Sequence, residues 1–151
     1  MKARANDLEI IENLLHLLNS SPQAFEVPVA AAVYDQEMNL VSQSLNQRES
    51  TNDPTSHAEI CVLRVAGIKN GNWNLEGFSL FITLEPCLMC AGAIQWSRFS
   101  RIVFGAGEPK FGFERIDKGM LGKTEVVGGV LSEECSEVMK RFFRERRKKN
   151  N

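Results

Sequence analysis

Apolar residues recur at helical spacing near the start of the chain, at Leu8, Ile11, Leu14, Leu15 and Leu18. This predicts an amphipathic helix ending near Asn19–Pro22. The pattern then changes. EVPVAAAVYD (26–35) is an almost unbroken apolar run and predicts a buried strand, with MNLVSQSL (38–45) as its neighbour. The turn-forming stretch Asp35–Asn39 between them predicts a hairpin. A polar loop, NQRESTNDPTS (46–56), leads to a second helical pattern that starts at His57. Ile60, Val62, Leu63 and Ala66 are its expected inward residues, and Gly71 closes it. FSLFITLE (78–85) predicts an interior strand, CLMCAGAIQWS (87–97) a helix, and RIVFGAG (101–107) another strand. Strand, helix and strand in that order predict a right-handed parallel crossover. After a glycine-rich irregular stretch, TEVVGGVL (124–131) predicts a weak last strand. Ser132–Lys149 predicts a long closing helix, with Ser132 as N-cap and Glu133 and Glu134 at its positive end. No repeat, linker or low-complexity segment interrupts this order. The expected architecture is one α/β domain over residues 1–151, with helices on both faces of a mixed sheet.

Composition changes this picture little. A chain of 151 residues buries roughly 68–70% of its unfolded surface and needs no staples to hold a core. Net charge is −1, so the average is silent about partners, but the distribution is not. Lys140, Arg141, Arg144, Arg146, Arg147, Lys148 and Lys149 crowd the last helix, opposed there by Glu145. Such a run is either a solvated helix face or a nucleic-acid footprint. The N-terminal MKARANDLEI lacks the apolar centre of a secretory signal, and no run reaches the length of a membrane span. A cytoplasmic protein with reduced thiols is expected, and there four cysteines point to metal or catalysis before disulfides.

Two of those cysteines, Cys87 and Cys90, form a Cys-x-x-Cys pair behind Pro86. A redox pair after a strand is one reading. A closed structural zinc site is another, but it needs four protein ligands. Cys61 and Cys135 stand alone among apolar neighbours, as core cysteines do. His16 stands among leucines without a partner, as a surface histidine does. The third reading adds His57-Ala58-Glu59. Its histidine also opens a helix, and two helices starting at one sheet edge can aim their N-termini at a common point. His57, Cys87 and Cys90 then supply three ligands and leave a fourth tetrahedral position for water, as in a catalytic zinc site. A helix N-terminus lowers thiol pKa in the direction that metal binding needs. Glu59, two residues from His57, shares no face with it on a regular helix. The two converge only if the metal lies beyond the helix end, and Glu59 then serves as proton shuttle. H-x-E followed by P-C-x-x-C is the signature of zinc nucleobase deaminases, and the metal reading prevails over the redox and scaffold readings.

Longer motifs carry a closer resemblance. DPTSHAEI, TLEPCLMCAGAI, SRFSRIVFGA, Pro109–Lys110 and FFRERR, within a match from Glu26 through Arg147, resemble the bacterial tRNA-specific adenosine deaminases. H-x-E and P-C-x-x-C alone identify the zinc-deaminase superfamily, and the longer stretches narrow it to this branch. The resemblance implies a three-layer α/β/α cytidine-deaminase-like fold with a mixed five-stranded central sheet. It implies one Zn²⁺ per subunit, held by His57, Cys87 and Cys90, and Glu59 as the catalytic residue. The reaction implied is hydrolysis of the wobble adenosine of a tRNA anticodon to inosine with release of ammonia. Asn46 matches an asparagine that hydrogen-bonds the flipped purine, although a turn residue is the plainer reading. Val29 and Leu84 would line the base pocket. Phe143 matches an aromatic near the anticodon nucleotides, unless Phe142 and Phe143 are both core. Arg144, Arg146 and Arg147 would contact phosphates, a salt-sensitive term without sequence information. The implied assembly is a homodimer on the anticodon stem-loop.

Three positions depart from the family pattern. VPVAA replaces VPVGA, so Ala30 is expected to tighten the pocket. Glu108 stands where aspartate is common, which displaces a carboxylate expected near a ribose. FERIDKGM replaces a small-residue stretch after PKFG and should reshape an RNA-facing loop. A zinc deaminase of free bases or nucleosides (guanine, cytosine, cytidine) would use the same catalytic residues. The basic last helix favours RNA, because a free base has no phosphates to neutralise.

Overall fold

The computed structural model describes residues 2–21 and 25–150. Helix α1 (Ala5–Ser20) is followed by strands β1 (Ala30–Tyr34) and β2 (Leu40–Leu45) and a single helical turn, α2 (Arg48–Thr51). Helix α3 (Ala58–Asn70), strand β3 (Ser79–Leu84), helix α4 (Leu88–Ser97) and strand β4 (Arg101–Ala106) come next. Short α5 (Phe113–Asp117), β5 (Glu125–Val127) and long α6 (Ser132–Lys149) complete the order. Pro22, where the first helix was expected to end, lies outside the described residues.

The five strands form one sheet in the order β2-β1-β3-β4-β5. β1 is antiparallel to both β2 and β3, whereas β3–β4 and β4–β5 are parallel. It follows that β2, β3, β4 and β5 all point the same way and only β1 is reversed. Alternation along the strands divides the core into two layers. Ala31, Val33, Leu80, Ile82, Ile102 and Phe104 pack with Ala58, Val62 and Ala66 of α3 and Ala91 and Ile94 of α4. Ala30, Ala32, Phe81 and Val103 pack with Ile10, Ile11, Leu14, Leu15 and Leu18 of α1 and Cys135 of α6. The architecture is the expected three-layer α/β/α sandwich around a mixed sheet.

Some local expectations are corrected. Leu8 is 53% exposed, and Asp7 is buried in its place. The inward face of α1 runs through Asp7, Ile10, Ile11, Leu14, Leu15 and Leu18, because Asp7 meets a buried arginine across the sheet. Arg101 donates to Asp7 Oδ1 at 2.6 Å and Oδ2 at 2.8 Å, and its Nε donates to Glu125 at 3.0 Å. This clip ties α1, β4 and β5 together. The last strand is only three residues long: it stops at Val127, and beyond it Gly129 takes φ 85° while Gly129 and Val130 still donate to the carbonyls of Gly105 and Phe104 outside the regular ladder. Leu131, at φ 53°, occupies the N-cap of α6, so Ser132 is the first helical residue instead of the cap. Ala30 packs on the α1–α6 side of the sheet, away from the layer that contains Val29, so its methyl does not narrow that side. Among the cysteines outside the pair, Cys135 is buried as expected but Cys61 is only half-buried. His16 is exposed, as expected. The replaced stretch after Gly112 forms α5, seated on fully buried Phe113.

Burial alone would raise the Asp7 carboxyl, but the Arg101 bonds and charge hold it below its ordinary value. A carboxylate depressed in the fold contributes stability above its unfolded pKa and loses it as pH falls through the folded pKa. Arg101→Leu should therefore cost about 3–5 kcal/mol near neutral pH by stranding a buried charge. In urea titrations the deficit should narrow in acid, where protonated Asp7 no longer needs a partner.

Candidate metal centre and the adjoining groove

Because β2 and β3 run in the same direction, the segments that leave them emerge at one sheet edge. The first segment is the polar loop to α3. Asp53 organises it: Oδ1 accepts from the Thr55 N–H and hydroxyl, and Oδ2 from the Ser56 hydroxyl. Buried Glu26 anchors the same loop by accepting from the N–H groups of Glu49 and Ser50. The loop delivers His57 to the N-cap of α3, in extended backbone. The second segment is short: Glu85 and Pro86 follow β3, and Cys87 occupies the N-cap of α4. Cys90 then sits in the first turn of that helix.

The two helix starts converge. His57 Nδ1 lies 3.6 Å from Cys87 Sγ and 3.4 Å from Cys90 Sγ, and the three donor atoms all fall within 4.8 Å of one another. A tetrahedral zinc bonds sulfur at about 2.3 Å and histidine nitrogen at about 2.0–2.1 Å, which puts such donors about 3.5 Å apart. The residues fit that ion. Their acid–base behaviour agrees. A hydrogen bond with Cys90 and the neighbouring His57 hold Cys87 down to about 4. The same bond, burial and nearby negative charge push Cys90 far up. His57 is raised, chiefly by its hydrogen bond with Cys87. Without a cation the pair thus carries a single negative charge, and a bound zinc would be what lets both sulfurs be thiolates.

Glu59 is 4% exposed and lies beside the three donors. Burial raises its pKa above the ordinary carboxylate value. Because His57 is the cap and not an interior residue, the periodicity that would separate it from Glu59 does not apply. Asn46 is also buried at this edge. Its Oδ1 accepts from the Ala58 N–H at 2.8 Å, and its own N–H donates to the carbonyl of Val29. Asn46 thus caps the helix that carries His57, and among the described residues its side-chain amide makes no other hydrogen bond.

Most of the remaining candidate residues gather a short distance away, whereas Val29 is buried in the core layer beneath α3 and α4. A groove of about 840 Å³ is lined by Leu84, Glu108, Phe143, Arg144, Arg146 and Arg147, together with Lys110, Phe111 and Lys140. Leu84 ends β3 three residues before Cys87, so the groove begins beside the metal turn. Phe143 is 43% exposed and is not core, and Phe142 turns to a separate groove of about 360 Å³ beyond α6. Arg144 is paired with Glu137, two turns earlier on the same face of α6. The Glu108 carboxylate accepts from the N–H groups of Lys110 and Phe111, closing its own loop. Phe111 and Glu85 were not anticipated. An aromatic in a loop, between Lys110 and Gly112, was the available signal for the first; a glutamate inside a strand-to-helix turn gave none for the second.

Residues 5–106 match the cytidine and deoxycytidylate deaminase zinc-binding region. The chain is 40% identical to a tRNA-specific adenosine deaminase of Haemophilus influenzae, over 93% of this chain and 85% of the relative. It is 43% identical to one of Bacillus subtilis, over 82% and 80% of the two chains. A structure from a study of A-to-I editing by tRNA:A34 deaminases at the wobble position superposes with a TM-score of 0.76 at 30% identity. That match spans 89% of this chain and 99% of the other. A guanine deaminase from Nitrosomonas europaea (TM-score 0.79, 23% identity) shares the fold. The chain belongs to the zinc-binding cytidine and deoxycytidylate deaminases, in the branch of tRNA-specific adenosine deaminases.

Proposed function

We propose that this protein is a zinc-dependent hydrolase, one deaminase domain throughout, that converts the wobble adenosine of a tRNA anticodon to inosine. The observation that carries the reading is the convergence of His57, Cys87 and Cys90 on one point with buried Glu59 beside them. Zinc held there supplies Lewis acidity, which brings the acidity of water toward neutral. Glu59 takes a proton from the attacking water and delivers it to ring nitrogen N1 as the water oxygen bonds to C6. It then moves the second water proton to the exocyclic amine, the C6–N6 bond breaks, and ammonia leaves. A buried carboxyl beside the three donor atoms is placed to reach both the attacking water and the base, which is what the two transfers require.

Asn46 presents its amide N–H to an acceptor on the flipped base, its oxygen being engaged by Ala58. Val29 and Leu84 flank the base. The groove along α6 receives the anticodon stem-loop, with Phe143 stacking on a nucleotide and Arg144, Arg146 and Arg147 on phosphates. Glu108, whose Oε1 is used by its own loop, keeps Oε2 for a ribose hydroxyl. These cations distinguish an RNA substrate from a free base. A homodimer is supported by exposed Ile68, Trp73 and Trp96 on the α3–α4 side, where Trp73 and Trp96 share one apolar depression. The described residues contain no helix long and apolar enough to cross a membrane, and cytoplasmic tRNA is the proposed substrate pool.

Glu59→Ala should retain one zinc per chain by metal analysis, yet slow inosine formation on tRNA by about 10²–10⁴-fold. Loss of the metal in that variant would remove Glu59 from the proposed role. Replacing Arg144, Arg146 and Arg147 with alanine should weaken RNA binding and flatten its dependence on log salt by roughly two. An unchanged slope would return these residues to a solvated face. In sedimentation velocity the protein should run as a dimer, and Trp96→Glu should shift it to monomer.

A further inference from the structure

Glu85 is a buried carboxylate that the deamination chemistry does not use. It is 9% exposed, and among the described residues it forms no ion pair. Its two oxygens are engaged by one loop: Oε1 accepts from the Glu108 N–H at 3.1 Å and Oε2 from the Glu114 N–H at 3.0 Å. Residues 109–113, between those two contacts, include Lys110 and Phe111, which line the groove with Leu84.

The bonds of this loop divide into two kinds. One kind fixes its shape: Gly112 N–H to the Glu108 carbonyl, Lys110 and Phe111 N–H to Glu108 Oε1, and the Arg115 guanidinium to the Pro109 carbonyl. The other fixes its place against the metal-bearing turn. Phe113 N–H donates to the Pro86 carbonyl at 3.0 Å, Cys87 and Gly112 form a bridge, and the Glu85 carboxylate supplies the remaining two bonds. A loop held internally by the first kind moves as a unit when the second kind is cut. Gly112 is pressed on this contact so closely that a Cβ there would stand 2.2 Å from Glu85 Oε2 and 2.5 Å from the Glu108 carbonyl oxygen.

We propose that Glu85 is a positioning residue that registers the Lys110–Phe111 loop against the metal turn, so that it governs how the RNA is held and not how the metal is bound. Resting on the proposed tRNA reading, this assigns to one side chain the alignment of two otherwise separate parts, the rigid sheet edge and the recognition groove. Since among the described residues no hydrogen bond links the loop to a ligand donor atom or to Glu59, cutting the Glu85 bonds removes binding that is equal in ground and transition states, which raises KM and spares kcat.

The test uses the full chain with Glu85→Ala, the milder Glu85→Gln, and Gly112→Ala. Zinc per chain, amide exchange at Glu108 and Glu114, and KM and kcat on an anticodon hairpin with a wobble adenosine are measured together. Glu85→Ala should keep one zinc and speed both amides by about ten-fold through local opening. It should raise KM by about ten-fold, as when a buried hydrogen bond is left unmet, with kcat within about three-fold. Glu85→Gln, which keeps one acceptor oxygen, should fall between Glu85→Ala and the wild type. Gly112→Ala should raise KM in the same way with zinc intact. Loss of zinc, a fall in kcat as large as the rise in KM, or unaltered exchange would each overturn the proposal. An unsubstituted chain inactive on the hairpin would instead refute the proposed substrate, while zinc content and exchange would still decide whether Glu85 holds the loop.

Discussion

The shared direction of β2 and β3 is the constraint on which the rest of this structure depends. Both pair with reversed β1, so the chain leaves them at the same edge and starts α3 and α4 there. His57 and Cys87 are the N-caps of those helices. A helix end presents unpaired N–H groups and partial positive charge, which favours thiolate over thiol and draws anionic donors together. The 3.4 Å and 3.6 Å separations are thus a property of sheet topology, with the metal closing a site that the backbone has already shaped. A one-strand change of direction would send the two helices to opposite edges and leave each ligand group alone.

Around this edge the molecule separates rigidity from adaptability. The core layer beneath α3 and α4 holds Val29, Ala58, Ile82 and Ala91 almost without exposure, which suits groups that must meet within a fraction of an ångström. The groove is built differently, from the exposed second half of α6 and from a short loop that is fastened to the metal turn chiefly by Glu85 and the Pro86 carbonyl. Long basic side chains there can follow a flexible phosphate backbone at little cost. The proposed mechanism needs both halves, since a flipped base gains from exact placement only after the surrounding nucleotides are held.

The buried Asp7–Arg101 pair occupies the opposite side of the sheet from the metal. Its bidentate bonds and the link to Glu125 meet the requirement that a buried charge be matched on several sides. It fixes α1 across β4 and β5, where β5 contributes only three residues and could not hold the sheet's edge by ladder bonds alone.

The order of the principal helices and strands and the metal-ligand set were legible because each rests on local pattern: apolar runs, helical spacing, and H-x-E with P-C-x-x-C; the short helices α2 and α5 lie in stretches that read as loop. The longer motifs also carried the family. Where a residue's position depends on a distant partner, the pattern misled. Leu8 satisfies the periodicity of α1 but faces solvent, since Asp7 has Arg101 to meet, ninety-four positions later. TEVVGGVL has strand composition, yet the regular ladder ends at Val127, before the left-handed Gly129. The proximity of Glu59 to His57 contradicts interior-helix spacing until His57 is seen to be a cap. The family motifs pointed to Leu84, Glu108 and Phe143, but no local spacing shows that they share one groove, and the fastening by Glu85 has no signature in the sequence. A linear pattern records which residues prefer burial, helix or metal. Only the closed sheet decides which of them meet, because that depends on strand direction and on contacts made across the whole chain.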